Sequence, residues 1–182
     1  VEAAFGGVPN LSLAVEHGFH YRIKGDEWQQ LVPGINTSWV QDAQWVMDMY
    51  AMRTNGSFGS SILWNFGGCD PEFGAMQAKE LQATLQDVLA AFPVVVRAGK
   101  AYVEACYKEV DKGVMATKFT QICSKEAPLD LVFCAGDDST DELMFAALNE
   151  RYNKAADVPK LYTVSVGKKP SEADSYLSAR LP

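Results

Sequence analysis

The sequence predicts an α/β protein, a doubly wound and mostly parallel sheet that carries an inserted α+β subdomain. Three observations lead there. The last third alternates strand, helix and strand, the pattern of a parallel sheet whose crossovers are helices. The middle runs helix, strand, helix and hairpin, an order that belongs to a separate α+β unit. The chain has 182 residues, 48% apolar and 21% charged, enough for one packed core with an insertion.

Element by element, Leu11 to Val15 alternates apolar and polar residues, and Phe19 to Ile23 returns as the second arm of a hairpin across Glu16-His17-Gly18. Gly25 to Gly34 is polar and reads as a connection. A helix is expected from Ser38 to about Arg53, with Trp39, Val40, Ala43, Val46, Met47 and Tyr50 at helical spacing. Asn55-Gly56 then turns the chain into a short strand, Ser61 to Asn65.

The next helix has a legible start. Asp70 caps its free amides, Pro71 suits the first helical position, and Glu72 favours the positive end of the dipole. Its apolar stripe is Phe73, Met76, Leu81, Leu85, Val88, Leu89 and Phe92, and Pro93 stops it. Val94 to Arg97 and Ala101 to Tyr107 form a hairpin turning at Ala98-Gly99. A helix from about Asp111 to Cys123, a buried strand from Leu129 to Ala135, a helix from about Thr140 to Tyr152 and a strand from Leu161 to Val166 complete the chain. These elements divide it into a core (1–25 and 110–182) and an inserted α+β subdomain (26–109).

The net charge of −7 argues against nucleic-acid and membrane-surface partners, which favour basic faces. No apolar run is long enough for a membrane helix. Four cysteines without C-x-x-C spacing, Cys69, Cys106, Cys123 and Cys134, point to free thiols and a reducing, cytoplasmic setting.

The chemistry concentrates where the apolar strand ends. Gly136 is followed by Asp137, Asp138 and, as a helix begins, Asp141. Ligands of open α/β sheets bind beyond the carboxyl ends of strands, and three crowded carboxylates call for a cation. Magnesium suits them, since it takes one or two protein carboxylates and accepts phosphate oxygens. Helix capping by Asp138 or Asp141 accounts for one carboxylate and leaves two. Lys112, in a first helical turn, is either a solvated lysine or a fixed charge facing a phosphoryl group. Lys100 and Glu104 share one strand face with Tyr102 and Cys106; that face is either a hydroxyl-binding surface or an ordinary exposed one.

Together these blocks resemble a known family. Leu-Ala-Val-Glu-His-Gly-Phe (13–19), Asp-Pro-Glu-Phe-Gly-x-x-Gln-Ala-Lys-Glu-Leu (70–81), Gly-Lys-x-x-Val-Glu from Gly99, Asp-Lys-Gly (111–113), Gly-Asp-Asp-x-x-Asp-Glu (136–142) and Val-Gly-Lys-Lys-Pro-Ser (166–171) look like the trehalose-phosphate phosphatase domain of the haloacid-dehalogenase-like superfamily. The resemblance implies a Rossmann-type core, here with its first strand absent, and an α+β cap that closes over it. It implies Mg²⁺ held by Asp137, Asp138 and Asp141, with catalytic roles for Lys112, Asp137 and Asp141, and substrate contacts from Lys100, Glu104, Glu16 and His17. The implied reaction is hydrolysis of trehalose 6-phosphate to trehalose and phosphate, with a trehalose-phosphate synthase domain fused or associated.

The chain also departs from that family. The Asp-x-Asp-Gly-Thr motif that supplies the nucleophile is absent from this sequence and is expected upstream of Val1. Trp64-Asn65-Phe66-Gly67 stands where the family reads Trp-His-Tyr-Arg, and the Gly56 to Ile62 segment is short. These departures leave two alternatives: a silent, phosphatase-like regulatory domain of a synthase complex, and a sugar phosphatase of different specificity.

Overall fold

The computed structural model describes residues 1–50, 54–58, 60–152, 159–167 and 169–178. In chain order its elements are α1 (Glu2–Phe5), β1 (Leu13–Val15), a 3-10 turn (Glu16–Gly18), β2 (His20–Arg22), β3 (Gln29–Gln30), α2 (Trp39–Asp48), β4 (Thr54–Phe58), β5 (Ser61–Asn65), α3 (Pro71–Val88), β6 (Val94–Ala98), β7 (Tyr102–Tyr107), α4 (Lys112–Glu126), β8 (Leu131–Gly136), α5 (Ser139–Tyr152), β9 (Lys160–Val166) and β10 (Ser175–Leu177). They divide into two compact units, Val32–Val110 and Val1–Leu31 with Asp111–Pro182. The first boundary falls at 31/32 because β3 pairs antiparallel with β2, His20 opposite Gln30, and keeps the expected connection with the hairpin.

The Val32–Val110 unit is built on an antiparallel sheet of order β4-β5-β7-β6. Successive side chains of a strand point to opposite faces, so Ile62 and Trp64 of β5 share a side, as do Val103 and Ala105 of β7. These four pack with Trp39, Ala43, Val46 and Met47 of α2 and with Ala78, Leu81 and Leu85 of α3 into one apolar cluster. Asp70 does cap α3, accepting the Phe73 amide at 2.9 Å, and Pro71 occupies its first position. The buried stripe, however, is Gly74, Ala78, Leu81 and Leu85, while the expected Phe73, Met76 and Val88 are exposed. The α2 helix is described to Asp48; the expected continuation to Arg53 lies outside the described residues. Asn55-Gly56, expected as a turn, instead lies within β4, where a register shift between Thr54 and Ser57 accommodates it.

In the other unit β8, β9 and β10 form a parallel sheet of order β10-β9-β8, as the strand-helix-strand pattern predicts. Crossover helix α5 supplies Phe145, Leu148 and Tyr152, which pack with Cys134 of β8 and with Ala173. The expectation of a buried β8 needs correction. Among the described residues only one of its faces is covered: Leu131 and Phe133 are 57% and 65% exposed, and Tyr162, opposite Phe133 on β9, is 50% exposed. A continuous apolar run tells the composition of both faces, not which of them has a neighbour. A second sheet, β1-β2-β3, is antiparallel.

Candidate active site

At the carboxyl end of β8 the chain turns into α5 through Asp137 and Asp138. Asp138 takes the capping role: its Oδ1 accepts from the Thr140 amide (2.8 Å), the Thr140 hydroxyl (2.6 Å) and the Asp141 amide (3.0 Å). Asp141, 6% exposed, faces back toward the strand. Its Oδ2 accepts from the amides of Asp137 (2.9 Å) and Asp138 (3.0 Å), and its Oδ1 accepts from Lys112 Nζ at 2.8 Å. Lys112 also reaches Asp138 Oδ2 at 3.2 Å. Gly136 makes this possible: a Cβ there would lie 2.2 Å from the Asp141 carboxyl carbon.

Lys112 opens α4, whose N-cap Asp111 accepts the Val114 amide at 2.9 Å. An ammonium there opposes the helix dipole, and the two carboxylates account for its position. Burial works to lower the Lys112 pKa, but hydrogen bonding and charge from Asp141, then Asp138, outweigh it and raise it above 10.5. For Asp138, burial acts to raise the pKa. The Thr140 hydroxyl, Lys112 and the Asp141 amide overcome that and bring it down to about 2. Behind them, burial and then the Asp141 charge push the Cys134 thiol up to about 11, so it stays protonated at neutral pH.

The three expected metal carboxylates are therefore divided by their duties. Among the described residues no three of His, Cys, Asp and Glu gather as a cage for an ion. Asp138 and Asp141 are committed to Lys112 and to amides. Asp137 is exposed, and its carboxylate has no hydrogen-bond or salt-bridge partner among the described residues. One open carboxylate at a strand end fits magnesium, which keeps several waters and commonly takes only one or two protein ligands.

Glu16 and His17 line a cavity of about 480 Å³ together with Lys112, Met115, Phe119 and Met144. The backbone there is unusual: Glu16 and His17 hold positive φ values of 53° and 55°, and Gly18 follows at 102°. Non-glycine residues pay strain in this region, and such strain collects at functional sites. A Cβ on Gly18 would come within 2.5 Å of Met115 Cβ, so the turn lies directly against α4.

Lys100 and Glu104 do not form one open face. Lys100 lies in the turn before β7 and lines a second cavity of about 480 Å³ with Phe66, Gly67, Cys69 and Lys79. Glu104 is inside the sheet, 3% exposed, opposite Leu63 on one side and Arg97 on the other.

Sequence reasoning singled out neither Lys169 nor Glu142. Lys169 Nζ donates to the Asp137 carbonyl at 2.6 Å, and Glu142 Oε2 accepts from Ser171 Oγ at 2.9 Å and the Glu172 amide at 2.8 Å. Both lie inside blocks that carry the family resemblance, yet neither has a spacing that announces a partner.

The trehalose-phosphatase family model matches residues 1–180. The UDP-forming alpha,alpha-trehalose-phosphate synthase 6 of Arabidopsis thaliana is 36% identical over 181 residues, covering 95% of this chain and 21% of that protein. A trehalose-phosphatase of Schizosaccharomyces pombe is 32% identical over 177 residues, covering 92% of this chain and 21% of that one. This chain thus spans about a fifth of the length of these curated relatives. Among solved structures, the C-terminal domain of C. albicans trehalose-6-phosphate phosphatase superimposes with a TM-score of 0.84 at 28% identity, over 97% of this chain and 69% of that one. With a family model that runs almost end to end and acidic, lysine-paired residues at the strand end, the chain belongs to the trehalose-phosphatase family.

Proposed function

We propose that this chain forms part of a magnesium-dependent phosphatase that hydrolyses trehalose 6-phosphate to trehalose and phosphate. The observation that carries the reading is the Lys112 ammonium, held by Asp141 and Asp138 at the end of β8 beside the open carboxylate of Asp137. Phosphoryl transfer depends mainly on positioning and on charge stabilisation. Lys112 offers a fixed cation for a phosphoryl oxygen, and Asp141 holds that cation so that it need not reorganise during reaction. Asp137 would hold Mg²⁺, which when bound supplies Lewis-acid neutralisation of phosphate oxygens. No Asp-x-Asp-Gly-Thr motif occurs in this sequence, so the role of these residues is binding and charge stabilisation.

Substrate contacts from Glu16 and His17 are supported by the cavity they share with Lys112. Lys100 supports sugar recognition within the Val32–Val110 unit, where it lines a cavity of its own, and that unit would serve as the cap. Association with a trehalose-phosphate synthase domain is supported by the plant relatives, which are named as synthases, and by the fifth of their length that this chain spans. Four free cysteines agree with a cytoplasmic setting, and no helix among the described residues is long and apolar enough to cross a membrane.

The test is phosphate release by the full-length protein containing this sequence, with trehalose 6-phosphate or glucose 6-phosphate, with Mg²⁺ or with EDTA. Release from trehalose 6-phosphate that needs Mg²⁺ is expected, and Lys112→Met should lower kcat about a hundred- to a thousand-fold. Release only from glucose 6-phosphate would reassign the substrate. No release from either sugar phosphate would sink the reading.

A further inference from the structure

The loop between β9 and β10 reaches the strand-end acids through two attachments. Lys169 Nζ donates to the Asp137 carbonyl at 2.6 Å and lies 3.8 Å from Glu142 Oε1. Glu142 Oε2 holds the same loop by accepting from Ser171 Oγ and the Glu172 amide. Glu142 directly follows Asp141 in the first turn of α5. One helical turn therefore grips Lys112 through Asp141 and the β9–β10 loop through Glu142.

The consequence falls on a single peptide unit. Between Asp137 and Asp138 the carbonyl accepts from the Lys169 ammonium, while the N–H donates to Asp141 Oδ2 at 3.0 Å. The Asp137 amide donates to the same oxygen at 2.9 Å. The peptide dipole is thus held between a cation at its oxygen and an anion at its hydrogen, and such charge-assisted bonds are stronger than neutral ones. Asp137 is fixed on both sides of its Cα, while its side chain is left open. Losing a group that orients a metal ligand typically costs roughly ten- to a hundred-fold in metal affinity.

We infer that Lys169, braced by Glu142, is a positioning residue that aims the Asp137 carboxylate. The inference rests on the proposed phosphatase reading for its catalytic meaning, but not for its structural content. Two measurements keep these apart. In the metal-free full-length protein, Lys169→Met should speed hydrogen exchange of the Asp138 amide about ten-fold while the amides of β9 and the Lys112–Asp141 pair keep their protection. In the same protein, half-activation by Mg²⁺ should require roughly ten- to a hundred-fold more metal, with KM for the sugar phosphate at saturating Mg²⁺ unchanged. Lys169→Arg, which keeps the donor, should restore most of both properties, and Glu142→Gln should give a smaller shift in the same direction.

Unchanged Asp138 exchange in Lys169→Met would overturn the proposal. So would a uniform loss of protection across β9 and α5, which marks a structural role alone. Faster exchange without altered Mg²⁺ dependence would overturn the link to the carboxylate. If the wild-type protein releases no phosphate, the phosphatase reading fails, and the exchange result still decides whether Lys169 holds the peptide.

Discussion

The two units secure their working parts by opposite means. In Val32–Val110 the centre is apolar and closed: Trp39, Ala43, Val46, Met47, Ile62, Trp64, Leu81, Leu85, Val103 and Ala105 are fully buried between one sheet face and two helices. In the other unit the strand-end site is held by charge, through Lys112, Asp138 and Asp141, while Leu131, Phe133 and Tyr162 leave one sheet face bare. One part resists changes of charge and is sensitive to volume. The other tolerates changes of volume on its bare face and is sensitive to protons.

That contrast can be broken in three ways. The largest effect is expected from Trp64→Ala. Trp64 is fully buried and meets Tyr50 and Phe66 ring to ring, so truncation should cost about 3–5 kcal/mol. Hydrogen exchange should show the loss within residues 32–110; equal loss in β8 and α5 would mean that the two units do not stand apart energetically.

Acid provides the second test. The Asp138 pKa is depressed from 3.8 to about 2 in the folded chain, so its contribution is present above pH 3.8 and is lost as pH falls through 2. Denaturant melts of the wild type and Asp138→Asn should differ above pH 4 and converge toward pH 2. The difference should be modest, because the Asp138 side chain is half exposed and its ion pair is screened by water. A difference that persists unchanged to pH 2 would remove the carboxylate's charge from the account.

The smallest effect is expected on the bare face. Phe133 is 65% exposed, so Phe133→Ser should change stability by about 0.5 kcal/mol or less. A loss of several kcal/mol in melts of the full-length protein would show that this face is covered there.

Legibility followed the same division. Local signals carry through to the structure: Asp70-Pro71 starts α3 and the strand-helix-strand ending gives a parallel sheet. The α3 stripe slipped, because hydrophobicity put Phe73 and Met76 inward, whereas the partners of α3 select Gly74 and Ala78. Strand β4 is hidden in the sequence because Asn55-Gly56 carries turn chemistry that a register shift absorbs. At the site, the acidic block and Lys112 were visible as residue types. Their separate duties were not, since nothing local tells which carboxylate will meet a lysine 26 or 29 positions away. Glu104 and Lys100 share an alternation in sequence, but Lys100 precedes the strand, so strand periodicity does not govern it.

Gly136 gives an unusual handle on this arrangement. Because its missing side chain leaves the space that the Asp141 carboxyl occupies, Gly136→Ala should displace that carboxylate without removing any charged group. A protein altered in this way would keep every acid and base of the site and lose only their spacing. Set beside the wild type, it separates what the residues are from where they stand, a control that no substitution at Lys112, Asp137 or Asp141 can provide.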